Sequence, residues 1–369
     1  MTYVGRNGAV VGLAVVTSAG ADAPSEEAVR ALDNWAALLR TRRLVSAGVA
    51  PLCAGAVRAR EEVDAVLSGT AGPVAVVGGL PVDALVAARW RARGVVSVAV
   101  AEQVPPGAVA VIGPAGATPE VRAGLAGRGV TVVDATCGKV ADLHAQIRAF
   151  VAGGEAVLVA GRSTDAVTPG LTAQAAPGQV KVLENLEHAM AVPVPDPARV
   201  AVVIAPGRPV EDAEVITETV RARFGHVLPQ NPASYCHAAD DRAHTLQRLA
   251  HSCDTVLIAG LLDEPEAQEA LRVVEEAGAP ARLIHSPEDI RPEWLRHTAA
   301  IGVTATSTTD PALLTRILHA LSGAGPTAVT TQHTTTGGRV ASVPRLAFGR
   351  RPRRGTRRAR RTNRRIRPA

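Results

Sequence analysis

Short apolar runs alternate with helical patterns along most of the chain. Runs such as Val109–Ile112, Ala156–Ala160 and Thr255–Ala259 have the length and composition of strands buried in a parallel sheet. Between such runs lie longer stretches in which apolar residues recur every three or four positions, which predicts amphipathic helices. Strands that alternate with helices indicate parallel sheets joined by right-handed crossover connections. The pattern therefore predicts an α/β protein.

Three cysteines occupy equivalent places in this pattern. Cys53, Cys137 and Cys236 each stand directly before a helical stretch, and they are widely spaced along the chain. The free N–H groups and partial positive charge at a helix N-terminus favour the thiolate, which is the form that binds soft metals and iron–sulfur clusters. We therefore expect one cysteine in each of three small domains, with the thiols meeting at one centre. The alternative is that the thiols pack as small buried hydrophobic side chains.

Other candidate residues give weaker signals. Cys253 lies at the edge of a predicted strand with no helix behind it, which indicates a structural residue. His144 is interpreted as facing solvent or capping its own helix, with a role near the metal as the alternative; His237, next to Cys236, is treated in the same way. No C-x-x-C pair supports a compact zinc site, and no Gly-x-Gly-x-x-Gly follows the first strand of a domain, so a dinucleotide fingerprint is missing.

The residues around the three cysteines form recognisable motifs. They read Leu52-Cys-Ala-Gly-Ala-Val-Arg-Ala59, Val133-Asp-Ala-Thr-Cys-Gly-Lys-Val140 and Tyr235-Cys-His-Ala-Ala-Asp-Asp-Arg242. In order, they resemble the three cysteine motifs of the LytB/IspH family, the 4-hydroxy-3-methylbut-2-enyl diphosphate reductases. Further segments agree in the same order, including Ser286–Leu295 and Ile301–Ala305, so that the resemblance covers residues 44–321.

This resemblance implies a fold, a cofactor and a reaction. The fold would be a trefoil of three small α/β domains with parallel sheets, around a central [4Fe–4S] cluster held by the three cysteines. The reaction would be reductive dehydroxylation of an allylic diphosphate in isoprenoid precursor synthesis, with ferredoxin or flavodoxin as electron donor. The alternatives are a non-catalytic or redox-sensing iron–sulfur protein on the same fold, and a relic in which the thiols only pack.

The positions that bind substrate in the family carry different residues here. The glutamate of the family's His-Pro-Glu motif is missing, and Asp165, one position away, is the candidate catalytic acid. A hydroxyl survives at Thr308, the candidate substrate-binding residue, whereas Arg162 and Arg208 are candidate sources of positive charge. The remaining replacements include Val82, Asp83, Pro114-Ala115-Gly116, Ala205-Pro-Gly-Arg208 and Asp263-Glu-Pro-Glu-Ala-Gln268.

The last of these replacements has an electrostatic consequence. Asp263, Glu264 and Glu266 stand where the resemblance places a diphosphate, and each carboxylate at close range would oppose such a ligand by about 1 kcal/mol in water. This charge leads to the hypothesis that the protein acts on a substrate other than the usual diphosphate, or on none.

Composition and charge define the ends of the chain. Residues 345–369 contain twelve arginines and no acidic residue, so this segment accounts for more than the whole net charge of +6. Such a run predicts a disordered tail that binds nucleic acid or acidic surfaces nonspecifically.

Four cysteines in 369 residues do not form a disulfide framework, so a reducing cytoplasm is expected. No apolar run has the length of a membrane span.

The predicted organisation has five parts. Residues 1–43 precede the family-like region, and their apolar part is interpreted as an extra strand or a poorly ordered extension, with a signal peptide as the alternative. Ser25, followed by two glutamates, predicts the start of a helix within this extension. The predicted domains are 44–136, 137–235 and 236–322, followed by a linker and tail over 323–369.

Overall fold

The structure is a computed structural model that describes residues 2–4, 10–12, 25–38, 42–48, 51–295, 298–323 and 327–332. Parts of the predicted N-terminal extension lie outside these ranges, as does everything after residue 332, including the arginine-rich tail.

The strands are short, as expected for small parallel sheets. In chain order they are β1 (Thr2–Val4), β2 (Val10–Gly12), β3 (Arg42–Ala47), β4 (Val74–Val77), β5 (Val95–Val98), β6 (Val109–Ile112), β7 (Thr131–Asp134), β8 (Ala156–Ala160), β9 (Val180–Leu183), β10 (Val200–Ile204), β11 (Val227–Pro229), β12 (Thr255–Ala259), β13 (Ala281–Ile284), β14 (Ala300–Ala305) and β15 (Thr327–Gln332).

The helices fall between these strands. They are α1 (Glu26–Leu38), α2 (Ala54–Gly69), α3 (Ala84–Ala92), α4 (Pro119–Gly127), α5 (Gly138–Ala152), α6 (Thr168–Thr172), α7 (Leu186–Ala191), α8 (Val210–Phe224), α9 (Ala238–Ser252), α10 (Pro265–Glu276), α11 (Pro292–Leu295) and α12 (Pro311–Gly323). Single 3₁₀ turns cover Ala101–Gln103, Pro232–Ser234 and Pro287–Asp289.

Three parallel sheets organise the described chain. Their strand orders are β5-β4-β6-β7, β11-β10-β8-β9 and β13-β12-β14-β3-β15, and every pairing within them is parallel. Strands β4, β10 and β12 are buried along their whole length, because helices cover both faces of a parallel sheet. The predicted α/β class with three parallel sheets is confirmed.

Strand β3 joins a sheet far along the sequence. It precedes Cys53, yet it pairs with β14 on one side and β15 on the other, within the third sheet. Strand β15 lies in the segment whose composition predicted a linker, and it pairs with β3 over six residues. The third sheet therefore includes one strand from the start of the family-like region and one from the segment that follows it.

The helices pack through small and aliphatic faces at helical spacing. Helix α2 buries Ala56, Ala59, Val63 and Leu67, and helix α5 buries Val140, Leu143 and Ile147. Fully burying a valine or leucine side chain stabilises a fold by about 1.5–3 kcal/mol. These faces therefore fix the helix axes, and with them the cysteines at the helix starts.

The N-terminal region contains the predicted helix. The Ser25 hydroxyl accepts a hydrogen bond from the Ala28 N–H at 3.2 Å at the start of α1, which confirms the predicted cap. Ahead of it, β1 and β2 form an antiparallel pair. Among the helices in the described ranges, none has both the length and the apolar character that a bilayer crossing requires.

Candidate metal centre

Each of the three predicted cysteines stands at the head of a helix. Cys53 is the N-cap residue of α2, Cys137 is the N-cap residue of α5, and Cys236 comes just before the N-cap residue of α9. All three are free thiols that are partly exposed. The helix starts place the sulfurs where unpaired backbone N–H groups and the helix dipole favour a negative charge.

The three thiols come together although they are far apart in sequence. Burial raises the pKa of the Cys236 thiol above its usual range, and the negative charges of Cys53 and Cys137 add to this effect, so both lie within electrostatic reach of Cys236. The N–H groups of Ala238 and Gly207 donate hydrogen bonds to the Cys236 sulfur and act in the opposite direction. Such donors stabilise a thiolate in a buried site.

Close packing connects the three arms around the thiols; we call each cysteine together with the helix behind it (α2, α5 or α9) an arm. A Cβ atom built on Gly55, near the start of α2, would lie 2.8 Å from the Cys137 Sγ atom, so only glycine leaves room for that thiol. On the other side, the Gln146 side chain of α5 donates to the Ser234 hydroxyl at 3.0 Å, in the 3₁₀ turn before Cys236. Helix α5 therefore contacts both the start of α2 and the turn that leads to Cys236.

The donor set is the one that an iron–sulfur cluster needs. Thiolates are the usual protein ligands of such clusters, and hydrogen bonds to the sulfurs tune them. Within the described ranges, no three His, Cys, Asp or Glu side chains are close enough to hold a single metal ion. A cluster spreads its ligands around several iron atoms, and three cysteine thiols are ligands of the chemical type that such a cluster takes.

Asp165, the candidate acid, lies in the loop between β8 and α6. Its carboxylate accepts a hydrogen bond from the Arg162 N–H at 3.0 Å and is half-buried. The negative charge of Asp165 is close enough to the Arg208 guanidinium to raise the pKa of Arg208. Arg208 directly follows Gly207, whose N–H donates to the Cys236 sulfur. Asp165 therefore lies on the side of the centre formed by the second sheet.

The two candidate arginines differ in their availability. Arg208 donates from both terminal nitrogens to the Glu184 carbonyl oxygen at 3.2 Å, and burial, together with the charge of Arg162, lowers its pKa. Arg162 is exposed and lines a cavity. Arg208 is therefore a structural residue in this conformation, and Arg162 is the arginine that a ligand can reach.

Thr308, the candidate substrate residue, lies in a hydroxyl-rich loop after β14. Its hydroxyl donates to Glu264, and the Thr306 hydroxyl donates to the same carboxylate at 2.8 Å. Beside them, the Ser307 N–H and hydroxyl both donate to Glu266, the N–H at 2.9 Å. The carboxylates predicted to oppose a diphosphate therefore sit on the hydroxyl loop itself.

A cavity of about 820 Å³ opens beside this loop. Its wall runs from Gly207 and the start of α9 to the loop after β14, so it adjoins the Cys236 arm. Its charged and polar lining consists of Arg162, Asp212, Arg242, Gln247, Glu266, Glu269, Thr304, Thr306 and Ser307. A cavity of this volume holds a small organic ligand.

His144 differs from its prediction. It is only 5% exposed and faces the interior, because its position two turns after Cys137 places it on the buried face of α5. Gly116 and Gly170 leave space for its ring, since a Cβ on either would approach it within 3.1 Å. Burial, followed by the charges of Arg122 and Arg148, lowers its pKa to about 4. His144 is therefore a neutral core residue.

A buried polar pair lies behind the third cysteine. Asp240 is 2% exposed, and its Oδ2 atom lies 3.5 Å from the His237 Nδ1 atom. Its other oxygen accepts a hydrogen bond from the Glu211 N–H at 3.2 Å, which ties α9 to the start of α8. The sequence showed His237 but gave no signal for Asp240, because only the fold shows that the first turn of α9 is buried.

Cys253 is part of the core, as predicted. It ends α9, it is 8% exposed, and burial raises the pKa of its thiol. A Cβ on Gly302 would lie 3.3 Å from its sulfur, so it packs against β14. The structure therefore separates one packing thiol from the three that surround the centre.

Comparison with known proteins agrees with this arrangement. A family model described as LytB protein matches residues 44–322. A 4-hydroxy-3-methylbut-2-enyl diphosphate reductase 2 of Mycobacterium bovis is 34% identical over 276 residues, which cover 73% of this chain and 83% of the relative. The reductase of Bordetella pertussis is 29% identical over 279 residues, covering 76% and 86% of the two chains.

Solved structures share the fold. The E-1-hydroxy-2-methyl-but-2-enyl-4-diphosphate reductase from Plasmodium falciparum superposes with a TM-score of 0.68 at 18% identity, covering 80% of this chain and 94% of that one. A second structure, an (E)-4-hydroxy-3-methyl-but-2-enyl diphosphate reductase, gives 0.60 at 21% identity, covering 77% and 100%. The predicted trefoil of three α/β domains is thereby confirmed, and the chain belongs to the LytB family.

Proposed function

We propose that this chain is an iron–sulfur reductase that replaces the hydroxyl of an allylic alcohol with hydrogen and releases water. The LytB family uses an iron–sulfur cluster, and we assign a [4Fe–4S] cluster to Cys53, Cys137 and Cys236 here. The observation that carries the proposal is the convergence of these thiols from three helix starts. When bound, the cluster supplies electrons and Lewis acidity to the substrate.

The chain's own residues have distinct parts in this proposal. The backbone N–H groups of Ala238 and Gly207 stabilise the Cys236 thiolate. Asp165 is the proposed proton donor, because it lies on the same side of the centre and its carboxylate is half-buried. Thr308 is the proposed substrate contact, on the loop beside the cavity.

The cavity favours turnover over a role in redox sensing alone. A redox sensor needs only a cluster and a partner surface, whereas a reductase also needs an enclosed volume for a small molecule. The cavity of about 820 Å³ beside the Cys236 arm provides this volume. A single-electron carrier such as ferredoxin or flavodoxin is the proposed donor, and a reducing cytoplasm suits free thiols that must stay reduced.

Turnover with a reduced electron donor tests this function. The reconstituted chain is supplied with reduced ferredoxin and either 4-hydroxy-3-methylbut-2-enyl diphosphate, the compound for which its relatives are named, or the corresponding free diol. Water-releasing reduction of either compound supports the proposal. A chain that holds its full cluster and reduces neither would contradict it. Asp165→Asn should slow turnover while leaving the iron content unchanged, since Asp165 touches no cluster ligand.

The domain limits and the tail belong to the same proposal. We propose the divisions 44–136, 137–235 and 236–322 for the three domains, with β3 contributed to the third sheet by the segment before Cys53.

We further propose that the arginine run over 345–369 binds acidic surfaces or nucleic acid nonspecifically. Truncation after Val343 should abolish salt-sensitive binding to DNA and leave turnover unchanged; retained DNA binding would contradict the assignment to the tail.

A further inference from the structure

We propose that the substrate of this reductase site carries an uncharged, hydroxyl-bearing head in place of a diphosphate, and that Glu264 and Glu266 set this specificity. This inference rests on the proposed function and identifies its substrate class. It follows from the contacts of the hydroxyl loop, defined as residues Thr306–Thr309 after β14.

The hydroxyl loop is placed where parallel sheets bind ligands. It follows the carboxyl end of β14, a central strand of the third sheet, and such ends form the binding crevice of α/β proteins. Its hydroxyls and backbone N–H groups are the donor types that hold phosphoryl oxygens. Thr306 and Ser307 line the cavity. The loop therefore has the position and chemistry of an anion cradle.

The chain's own carboxylates occupy this cradle. Glu264 accepts hydrogen bonds from the hydroxyls of Thr306, at 2.8 Å, and Thr308, and from the Leu261 N–H at 3.3 Å. Gly260 makes this fit possible, because a Cβ there would come within 2.6 Å of the Thr306 side chain. Glu264 therefore occupies two hydroxyl donors, those of Thr306 and Thr308, that the oxygens of a diphosphate would need.

The second carboxylate completes the occupation. Glu266 accepts from both the N–H and the hydroxyl of Ser307. The Thr309 hydroxyl is bonded elsewhere, since it donates to the Ala259 carbonyl oxygen at 2.9 Å. The four hydroxyls of the loop and the Ser307 N–H are therefore satisfied from within the protein, and an incoming anion that used them would have to displace two carboxylates.

The positive charges nearby do not offset this effect. Arg242 is paired with Glu266, with its Nε atom 3.1 Å from a carboxylate oxygen. Arg162 and Arg242 line the cavity together with Asp212, Glu266 and Glu269, and Glu269 is itself paired with Arg272. An incoming diphosphate would therefore meet the carboxylates of Glu266, in the cavity wall, and Glu264, bonded to the hydroxyl loop, while Arg242 is already engaged by Glu266.

The same wall suits a ligand that donates hydrogen bonds. An ionised carboxylate accepts at about four lone-pair positions, so Glu266, which lines the cavity, keeps free acceptor capacity after bonding Ser307 and Arg242. Alcohol hydroxyls donate to such acceptors without bringing negative charge. An uncharged allylic diol therefore matches the cavity in both hydrogen bonding and charge.

The reaction balances with such a substrate. The carbon–oxygen bond of the allylic hydroxyl breaks, a carbon–hydrogen bond forms at an allylic carbon, and the hydroxyl leaves as water. Two electrons come from two equivalents of a reduced single-electron carrier of the ferredoxin or flavodoxin class, delivered one at a time, and two protons come ultimately from solvent. The second hydroxyl takes no part in the chemistry and is the head that Glu266 would hold, while Glu264 keeps the loop hydroxyls from an anion.

Calorimetric titration with inorganic diphosphate tests the cradle independently of turnover. The full-length, cluster-loaded wild-type chain is expected to show no saturable binding. The double variant Glu264→Ala/Glu266→Ala frees the loop donors and removes two like charges, so it should bind diphosphate at least about tenfold more tightly than wild type. Adding Ser307→Ala to the double variant should weaken the gained binding, because it removes one of the freed hydroxyls.

Glu269→Ala is the matched control. Glu269 lines the same cavity, but its carboxylate pairs with Arg272 and not with the hydroxyl loop. It should gain no binding. Iron content and a thermal melt show that each variant is folded, and the single variants Glu264→Gln and Glu266→Gln provide milder substitutions if the double variant is unstable. Equal gains in the Glu269→Ala and double variants would overturn the assignment, as would saturable diphosphate binding by wild type or no binding by any variant.

Turnover completes the test. The wild-type chain should reduce 2-methylbut-2-ene-1,4-diol and leave its diphosphate ester unreacted, whereas the reverse preference would refute the inference. If the cluster-loaded chain reduces neither compound, the proposed function fails, while the calorimetric result still decides whether the two glutamates occupy the cradle.

Discussion

At the scale of single residues, one glycine determines whether the first and second arms meet. A Cβ atom at Gly55 would lie 2.8 Å from the Cys137 Sγ atom and 2.9 Å from its Cβ atom. Gly55→Ala should therefore displace Cys137 and lower the iron content of the reconstituted protein. The overlap should also reduce the free energy of unfolding by about 1–3 kcal/mol, measured by urea denaturation.

Gly69 provides the comparison for this change. It ends the same helix, and nothing lies within 4 Å of the Cβ that alanine would add. Gly69→Ala should leave the iron content unchanged and stabilise the helix by at most about 1 kcal/mol. Equal iron in both variants would mean that the Gly55 contact does not position the Cys137 thiol.

A second residue predicts how stability depends on pH. Burial lowers the pKa of His144 from 6.5 to about 4. The unfolded chain binds a proton at this position below pH 6.5, whereas the folded chain binds it only near pH 4, so protonation favours unfolding between these values. Stability should therefore be complete above pH 6.5 and fall on acidification towards pH 4, by on the order of 1–3 kcal/mol.

His144→Leu should remove the pH dependence that this imidazole contributes, so that the free energy of unfolding changes less between pH 6.5 and 4. Urea denaturation at several pH values measures this. A slope that is the same in wild type and His144→Leu would show that the imidazole does not titrate in this way.

Single residues also mark the limit of what the sequence predicts. The three thiols were predictable because each directly precedes an apolar-periodic helix, which is a local signal. The bonds between Glu264 and the hydroxyls of Thr306 and Thr308 were not, because they join residues more than forty positions apart. The sequence indicated opposing charge at this place, but not that the carboxylates fill the loop. His144 was predicted wrongly, because the polarity of its own helix face does not show which neighbours cover it.

At the scale of elements, the local patterns were informative for most strands and for the helices behind the cysteines. The sequence pattern predicts helices from just after Cys53 to Leu67, around 83–93 and over 266–277, and the observed limits of α2, α3 and α10 differ from these by at most two residues. The sheet to which each strand belongs was harder to predict from the sequence. The residues of β3 were predicted to begin the first domain, yet this strand pairs in the third sheet. Parallel strands pair through long connections, so their partners cannot be read from nearby residues.

One helix start also joins two of the domains. Asp83 caps α3, where its side chain accepts from the Val86 N–H at 2.8 Å, and its other oxygen accepts from the Asp310 N–H at 3.0 Å. Asp310 in turn pairs with Arg60 at 3.2 Å. These contacts connect the first sheet's helices to the start of α12. Asp83 therefore acts both as a helix cap and as a link between the start of α3 and the start of α12.

Asp83→Ala is expected to cost more than the loss of an ordinary cap. Removing an N-cap residue costs about 0.5–2 kcal/mol, and here the bond to Asp310 is lost as well. Thr118→Ala is the matched variant, because Thr118 caps α4 through the Val121 N–H and no other bond to its side chain is seen among the described residues. Urea denaturation should show the larger loss for Asp83→Ala, and equal losses would mean that the link to Asp310 contributes nothing.

At the scale of the whole molecule, the trefoil explains why three distant cysteines share one centre. Each parallel sheet directs the carboxyl ends of its strands, and the helix starts that follow them, towards the binding crevice. The three cysteines stand at helix starts, whereas the hydroxyl loop is bonded by the chain's own carboxylates. Under the proposed function, the cluster site would be kept while the head-group site has changed within one fold.

An iron and sulfide count on the anaerobically reconstituted protein tests the central claim most directly, made on wild type and on each Cys→Ser variant. We predict about four iron and four sulfide atoms per wild-type chain, a large loss on changing Cys53, Cys137 or Cys236, and no loss for Cys253→Ser, whose thiol packs in the core. An iron-free wild-type chain, or iron that survives all three changes at the centre, would contradict the account.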